Sequence, residues 1–151
     1  MKNVLTKAIF TLFFLGSTLT VSSSLLAQEW PMVGGDYWEV SAIDVKDGAG
    51  LKYSKWLAAE WRKNLEFAKS KGWIKEYKVL SNVYPRQGEA SLYLIRIMEG
   101  IPTGAEGEER GKQWVEWMNK SVSKMQEESG NRAEYREVMS SSLLQEMHFR
   151  D

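Results

Sequence analysis

His148 is the single histidine of this chain. It stands two residues after Glu146 and two before Arg150, so the three share one face if the segment is a strand. An imidazole there can act as a general base or a haem ligand, and it suits a surface or an interface equally well. Arg96 can hold a carboxylate or an oxyanion through paired hydrogen bonds, and Asn82 can orient a carbonyl. Strict alternation puts Asn82, Arg96, Glu146 and His148 on one sheet face, as the leading candidate constellation. The plainer alternative is that Arg96 and Glu146 form ion pairs across a wet interface between two chains, where polar groups are routine. A one-residue slip in strand phase would move each of them to the other face.

A second group lies on a helix. Trp56 and Trp61 fall on its inward side with Glu60 and Asn64. A carboxylate between indoles acquires a raised pKa and can serve as acid or base, whereas an aromatic stripe at helical spacing is also what an ordinary core looks like. All seven tryptophans follow residue 27, and indoles stack on flat ligands or sugars. The ligand-binding candidates are therefore Trp56, Trp61, Asn82, Arg96, Glu146 and His148. The catalytic candidates are His148, Arg96, Asn82 and Glu60.

Several chemistries find no residues here. One histidine and no cysteine leave no ligand set for zinc or an iron–sulfur cluster, and no cofactor is expected. GIPTGAEG lacks the lysine of a phosphate-binding loop. Ser140, Ser141 and Ser142 have no nucleophile elbow around them. Asn119-Lys120-Ser121 matches a glycosylation sequon but falls in a predicted helix.

These groups need elements to hold them. Gln28 to Asp36 reads as a loose arm. Tyr37 to Val45, aromatic and β-branched and ending at Asp47-Gly48, reads as the first strand. Tyr53, Trp56, Leu57, Trp61, Leu65 and Ala68 recur at threes and fours and predict a helix that stops at Gly72. Ile74 to Tyr84 and Ser91 to Met98 predict two strands joined through Pro85-Arg86-Gln87-Gly88. A Gly-rich connection, Gly100 to Gly107, leads to a second helix. Trp114, Trp117, Met118, Val122 and Met125 mark it, and it ends at Ser129-Gly130. Asn131 with Glu134 resembles a capping box opening a short helix to about Met139, and Ser142 to Arg150 predicts the last strand.

Alternation assigns Val79, Val83, Tyr93, Ile95, Ile97, Met147 and Phe149 to the helix-covered face. The other face then holds a mixed set: Leu80, Asn82, Leu92, Leu94, Arg96, Met98, Leu144, Glu146 and His148. That set is too apolar to sit bare in water and too polar for an ordinary core, so pairing with a second copy of the chain is expected.

The N-terminus bears on compartment. Lys2 and Lys7 precede an apolar run from Ala8 to Leu19, and Leu25-Leu26-Ala27 closes the segment, the layout of a cleavable export signal over residues 1–27. The run is short against the ~20 residues needed to span a bilayer. Residues 1–27 hold two of the 20 basic residues and none of the 20 acidic ones, so the remainder carries a net charge of −2. Such a balance disfavours nucleic acid as a partner. The expectation is a periplasmic or secreted protein with no membrane span after signal removal and one domain over residues 37–151.

The strand–helix–strand halves, with YWEVSAIDVKDGAG, the helix KYSKWLAAEWRKNLEFAKSKGW and the closing SLLQEMHFR, resemble the dimeric α+β-barrel superfamily. The resemblance covers residues 37–150. It implies a ferredoxin-like βαββαβ domain of the α+β class, a four-stranded antiparallel sheet with helices on one face, a homodimer formed through the sheets, and a pocket between helices and sheet or at the seam. Three functions follow as expectations: binding of a small apolar or aromatic ligand without catalysis, a cofactor-independent oxygenase or isomerase acting on a flat conjugated substrate, or a structural, partner-binding protein of the envelope.

Overall fold

The computed structural model describes residues 29–151; the expected export signal at 1–27 lies outside them. Four strands, β1 (Met32–Val45), β2 (Glu76–Ser81), β3 (Leu92–Met98) and β4 (Arg136–Phe149), form one sheet in the order β2-β3-β1-β4. Every neighbouring pair is antiparallel. With four helical segments, α1 (Gly50–Trp56), α2 (Arg62–Ser70), α3 (Gly104–Met118) and α4 (Val122–Asn131), the chain is of the α+β class. Among the described residues no helix is long and apolar enough to cross a membrane.

The helical stripe predicted after strand one is present, with one irregularity. Between α1 and α2 the backbone passes through a π-helical turn, Leu57–Trp61. Five residues advance about 140° around a regular α-helix, which would splay Trp56 and Trp61 apart. The wider π turn, closing its bonds five residues back, returns both indoles to the side that meets the sheet. The helix stops at Gly72, whose φ of 69° suits glycine. Gly72 donates to the Lys69 carbonyl and Trp73 to the Ala68 carbonyl, the paired bonds of a Schellman motif.

Residues opposite one another on paired strands share a face, and this fixes which face the helices cover. Tyr77, Arg96, Glu39 and Leu143 make one row across the sheet, and Val79, Leu94, Ser41 and Ser141 the next. Leu94 from the second row and Ile43, opposite Leu92 in the row after it, form the core with Tyr53 and Leu57 of the helix. The far face carries Glu76, Ile97, Trp38 and Leu144 in one row and Lys78, Ile95, Val40 and Ser142 in another. The expected phase of β3 is thus inverted. Leu92, Leu94, Arg96 and Met98 point to the helices, and Tyr93, Ile95 and Ile97 point away. Val79 and Leu80 on β2 and Leu144 on β4 fall where alternation put them.

Four further boundaries differ from expectation. β1 starts at Met32, because the segment read as a loose arm finds ladder partners at the end of β4: Met32 pairs with Phe149 and Gly34 with Met147. The second half of the Gly-rich connection, from Gly104, is helix. Thr103 caps α3 by accepting from the Glu106 amide, and Glu106 and Glu109 pair with Arg110 and Gln113 one turn on, offsetting three helical glycines. The second helix is two helices, split where Asn119 adopts a left-handed conformation and Ser121 caps α4. Finally, the short helix expected to reach Met139 is a single 3-10 turn, Arg132–Glu134. β4 begins at Arg136, since residues 42–45 of β1 supply ladder partners for residues 136–140.

Candidate functional site

Between the long helix, α3 and the sheet lies a cavity of about 540 Å³, within the range of small-molecule sites. Trp56, Trp61, Trp73 and Trp114 line it, four of the seven tryptophans in the chain. Its floor is Leu94 with Glu39, Ser41 and Arg96; Asn64, Leu65 and Ala68 form the helix wall and Arg110 comes from α3.

Each indole is held by neighbours. Trp56 stacks on Tyr53 with ring centroids 5.6 Å apart. Trp61 meets Tyr77 edge to face at 5.4 Å, and Trp73 meets Phe67 in the same way. Trp114 donates its Nε1 proton to Asn64 Oδ1 at 3.1 Å, while Asn64 anchors itself by donating to the Glu60 carbonyl at 2.7 Å. Phe67 stacks on Trp117 at 4.2 Å, clamping α3 against α2. Such aromatic pairs contribute about 0.5–1.5 kcal/mol each beyond the area they bury.

The polar groups of the cavity are paired. Arg96 donates to Glu39 across the β1–β3 ladder, and Arg110 donates to Glu106 along α3. Both pairs leave donors and acceptors free without adding net charge. The cavity thus offers flat apolar walls with a few polar groups near neutrality.

The candidates read from sequence scatter. Trp56, Trp61 and Arg96 meet in the cavity, although Arg96 comes from the face opposite to the expected one. Asn82 does not join them. Its amide closes the β2–β3 hairpin, donating to the Ala90 carbonyl at 3.1 Å and to Glu89 at 3.4 Å. Glu146 lies on the far face, beside Trp38 and Lys78 in a separate, polar depression. His148 is exposed on β4, where its ring lies against the backbone of Gly35. Glu60 is exposed and faces another polar hollow with Lys52 and Glu134. No two of the catalytic candidates share a compartment.

Glu39, Asn64, Trp73, Arg110 and Trp114 are the cavity residues that sequence reasoning left unassigned or placed elsewhere. Asn64 had the right signal, its position on the inward side of the helix beside Trp61. Among the described residues no group of three or more acidic or histidine side chains is placed to hold a metal ion. No protein-family model, curated protein or solved structure matches this chain.

Proposed function

We propose that this protein binds a small, flat, uncharged ligand, aromatic or sugar-like, between its long helix and its sheet, without catalysing a reaction on it. The observation that carries this reading is the convergence of four indoles on one cavity of about 540 Å³ whose charged groups are internally paired. Indole faces favour planar partners. The Glu39–Arg96 pair, Asn64 and Ser41 offer donors and acceptors for one or two polar substituents. The oxygenase or isomerase reading needs Asn82 and a proton acceptor beside Arg96; Asn82 and the acceptors His148 and Glu60 all lie elsewhere, and the carboxylate that is there, Glu39, is engaged by Arg96 in the ion pair. Thermal-shift measurements with bicyclic aromatics and with monosaccharides test the binding reading, since a ligand that prefers the folded state raises its melting temperature. A saturable rise with either class supports it; no rise with any member of both classes removes it.

The strand order β2-β3-β1-β4, with β1 central and antiparallel to both neighbours, is the order that two split strand–helix–strand units produce. It supports the ferredoxin-like reading and, with it, the dimeric α+β barrel. The far face supports a homodimer through Trp38, Val40, Leu80 and Leu144; the inverted phase of β3 also turns Ile95 and Ile97 to this side, where they are already buried within the protomer at 4% and 6% exposed. Leu80 and Leu144 are 48% and 54% exposed. Apolar surface of this kind is characteristic of association sites. Analytical ultracentrifugation decides it: a dimer that Leu144→Glu dissociates is expected, and a monomer at all concentrations overturns it. Export through the N-terminal segment completes the proposal and places the protein in the periplasm or outside the cell.

A further inference from the structure

The floor of the tryptophan-lined cavity gathers an unspent donor and an unspent acceptor side by side. Glu39 and Arg96 stand opposite each other on β1 and β3, and both border the cavity. One hydrogen bond joins them, from Arg96 Nη2 to Glu39 Oε1. Among the described residues neither side chain makes another hydrogen bond or ion pair. Arg96 therefore keeps the remaining N–H donors of its fork, and Glu39 keeps its second carboxylate oxygen as an acceptor. Both side chains are partly exposed, so water meets these groups until a ligand displaces it.

The other polar groups of the lining already hold partners. Asn64 accepts from Trp114 and donates to the Glu60 carbonyl. Arg110 is paired with Glu106, and Ser41 meets Ser141 across the β1–β4 ladder. What remains is chiefly indole, with Leu65 and Ala68.

This distribution discriminates among flat ligands. A sugar carries hydroxyls around its whole rim, and most of them would lose water here without gaining a partner. A plain arene has the converse fault, because it strips water from the ion pair and returns no hydrogen bond. A charged ligand finds no net charge to oppose its own. The edge that satisfies a donor beside an acceptor is an acceptor beside a donor, and on a flat ring that edge is a lactam, a carbonyl next to an N–H.

We infer that the ligand of this cavity is a planar heteroaromatic ring with a lactam edge, its carbonyl oxygen accepting from Arg96 and its N–H donating to Glu39. This rests on the ligand binding proposed above and narrows its class. Isothermal titration with 2-quinolone, N-methyl-2-quinolone and quinoline tests it at neutral pH, where all three are uncharged. They share one bicyclic frame; the second lacks the N–H, and the third keeps only a ring-nitrogen acceptor. Wild type is expected to bind 2-quinolone about tenfold tighter than either of the others, the worth of one matched hydrogen bond to a charged group. Glu39→Leu/Arg96→Leu removes both partners together and strands neither charge, so it should bind all three alike. Equal affinity of wild type for the three leaves ligand binding intact and overturns the lactam inference, whereas binding of none removes both. A preference for 2-quinolone that survives in the double variant also overturns it, because the edge is then read elsewhere.

Discussion

Arg96 and Glu39 occupy directly opposite positions on β3 and β1 and join as an ion pair on the helix-covered face. Their side chains are 43% and 32% exposed, so the pair is neither dry nor fully hydrated. It floors the tryptophan-lined cavity and cancels the charge that would otherwise make an arginine there costly.

Removing one partner should hurt more than removing both. Arg96→Leu is expected to cost about 1–2 kcal/mol, as it strands Glu39 in a half-buried site. The double variant Glu39→Leu/Arg96→Leu should recover most of that loss. Urea denaturation of the four proteins in a double-mutant cycle measures the coupling directly; additive losses would show that the pair contributes nothing.

This pair also explains where sequence reading fails. Leu92, Leu94 and Met98 are as apolar as Tyr93, Ile95 and Ile97, so alternation along β3 cannot tell the two faces apart. Arg96 alone broke the tie, and an unpartnered arginine belongs away from helices. Its partner sits 57 residues earlier in the chain, and only the register of β1 against β3 reveals it. The helix stripe from Tyr53 to Ala68 and the existence of all four strands were legible because their periodicity is local. The start of α3 was not, since Gly104, Gly107 and Gly111 mask the Thr103 cap. Asn82, Glu146 and His148 were grouped by phase alone, and the sheet spreads them over a hairpin, a far-face depression and a strand end.

Asn64 links the two helices that wall the cavity. Asn64→Leu should cost about 1 kcal/mol through the lost Trp114 bond and its unsatisfied indole N–H. It should also shift the tryptophan emission to longer wavelength as α3 loosens. An unchanged spectrum together with unchanged stability would show that the bond does not hold α3.

Gly72 delivers Trp73 to the cavity by ending the helix at φ 69°. Gly72→Ala is expected to destabilise by about 1 kcal/mol, because a Cβ is strained in the left-handed region, and Gly72→Asn by less. Thermal melts rank the three; equal melting temperatures would mean that the backbone relaxes at no cost.

Glu128 supplies a pH dependence. Its hydrogen bond from Lys120 holds its carboxyl below the ordinary value, with Lys124 and Arg132 acting in the same direction. A carboxylate depressed in the folded state stabilises above its unfolded pKa, near 4.3, and loses that contribution as pH falls through the folded value. Wild type should therefore melt above Glu128→Gln at pH 7, and the gap should close as the pH falls below about 4. A gap that persists unchanged into acid contradicts the assignment.

The most direct test of ligand binding reads the indoles themselves. The protein is titrated with a planar bicyclic aromatic and, separately, with a monosaccharide while tryptophan emission is followed. Saturable quenching or a saturable spectral shift is expected with at least one of them. Trp61→Leu, which removes an indole from the cavity, should weaken that binding about tenfold, in line with the loss of one stacking face. Linear, non-saturable responses to both ligands, or saturation at the same concentration in Trp61→Leu as in wild type, would contradict ligand binding in the cavity.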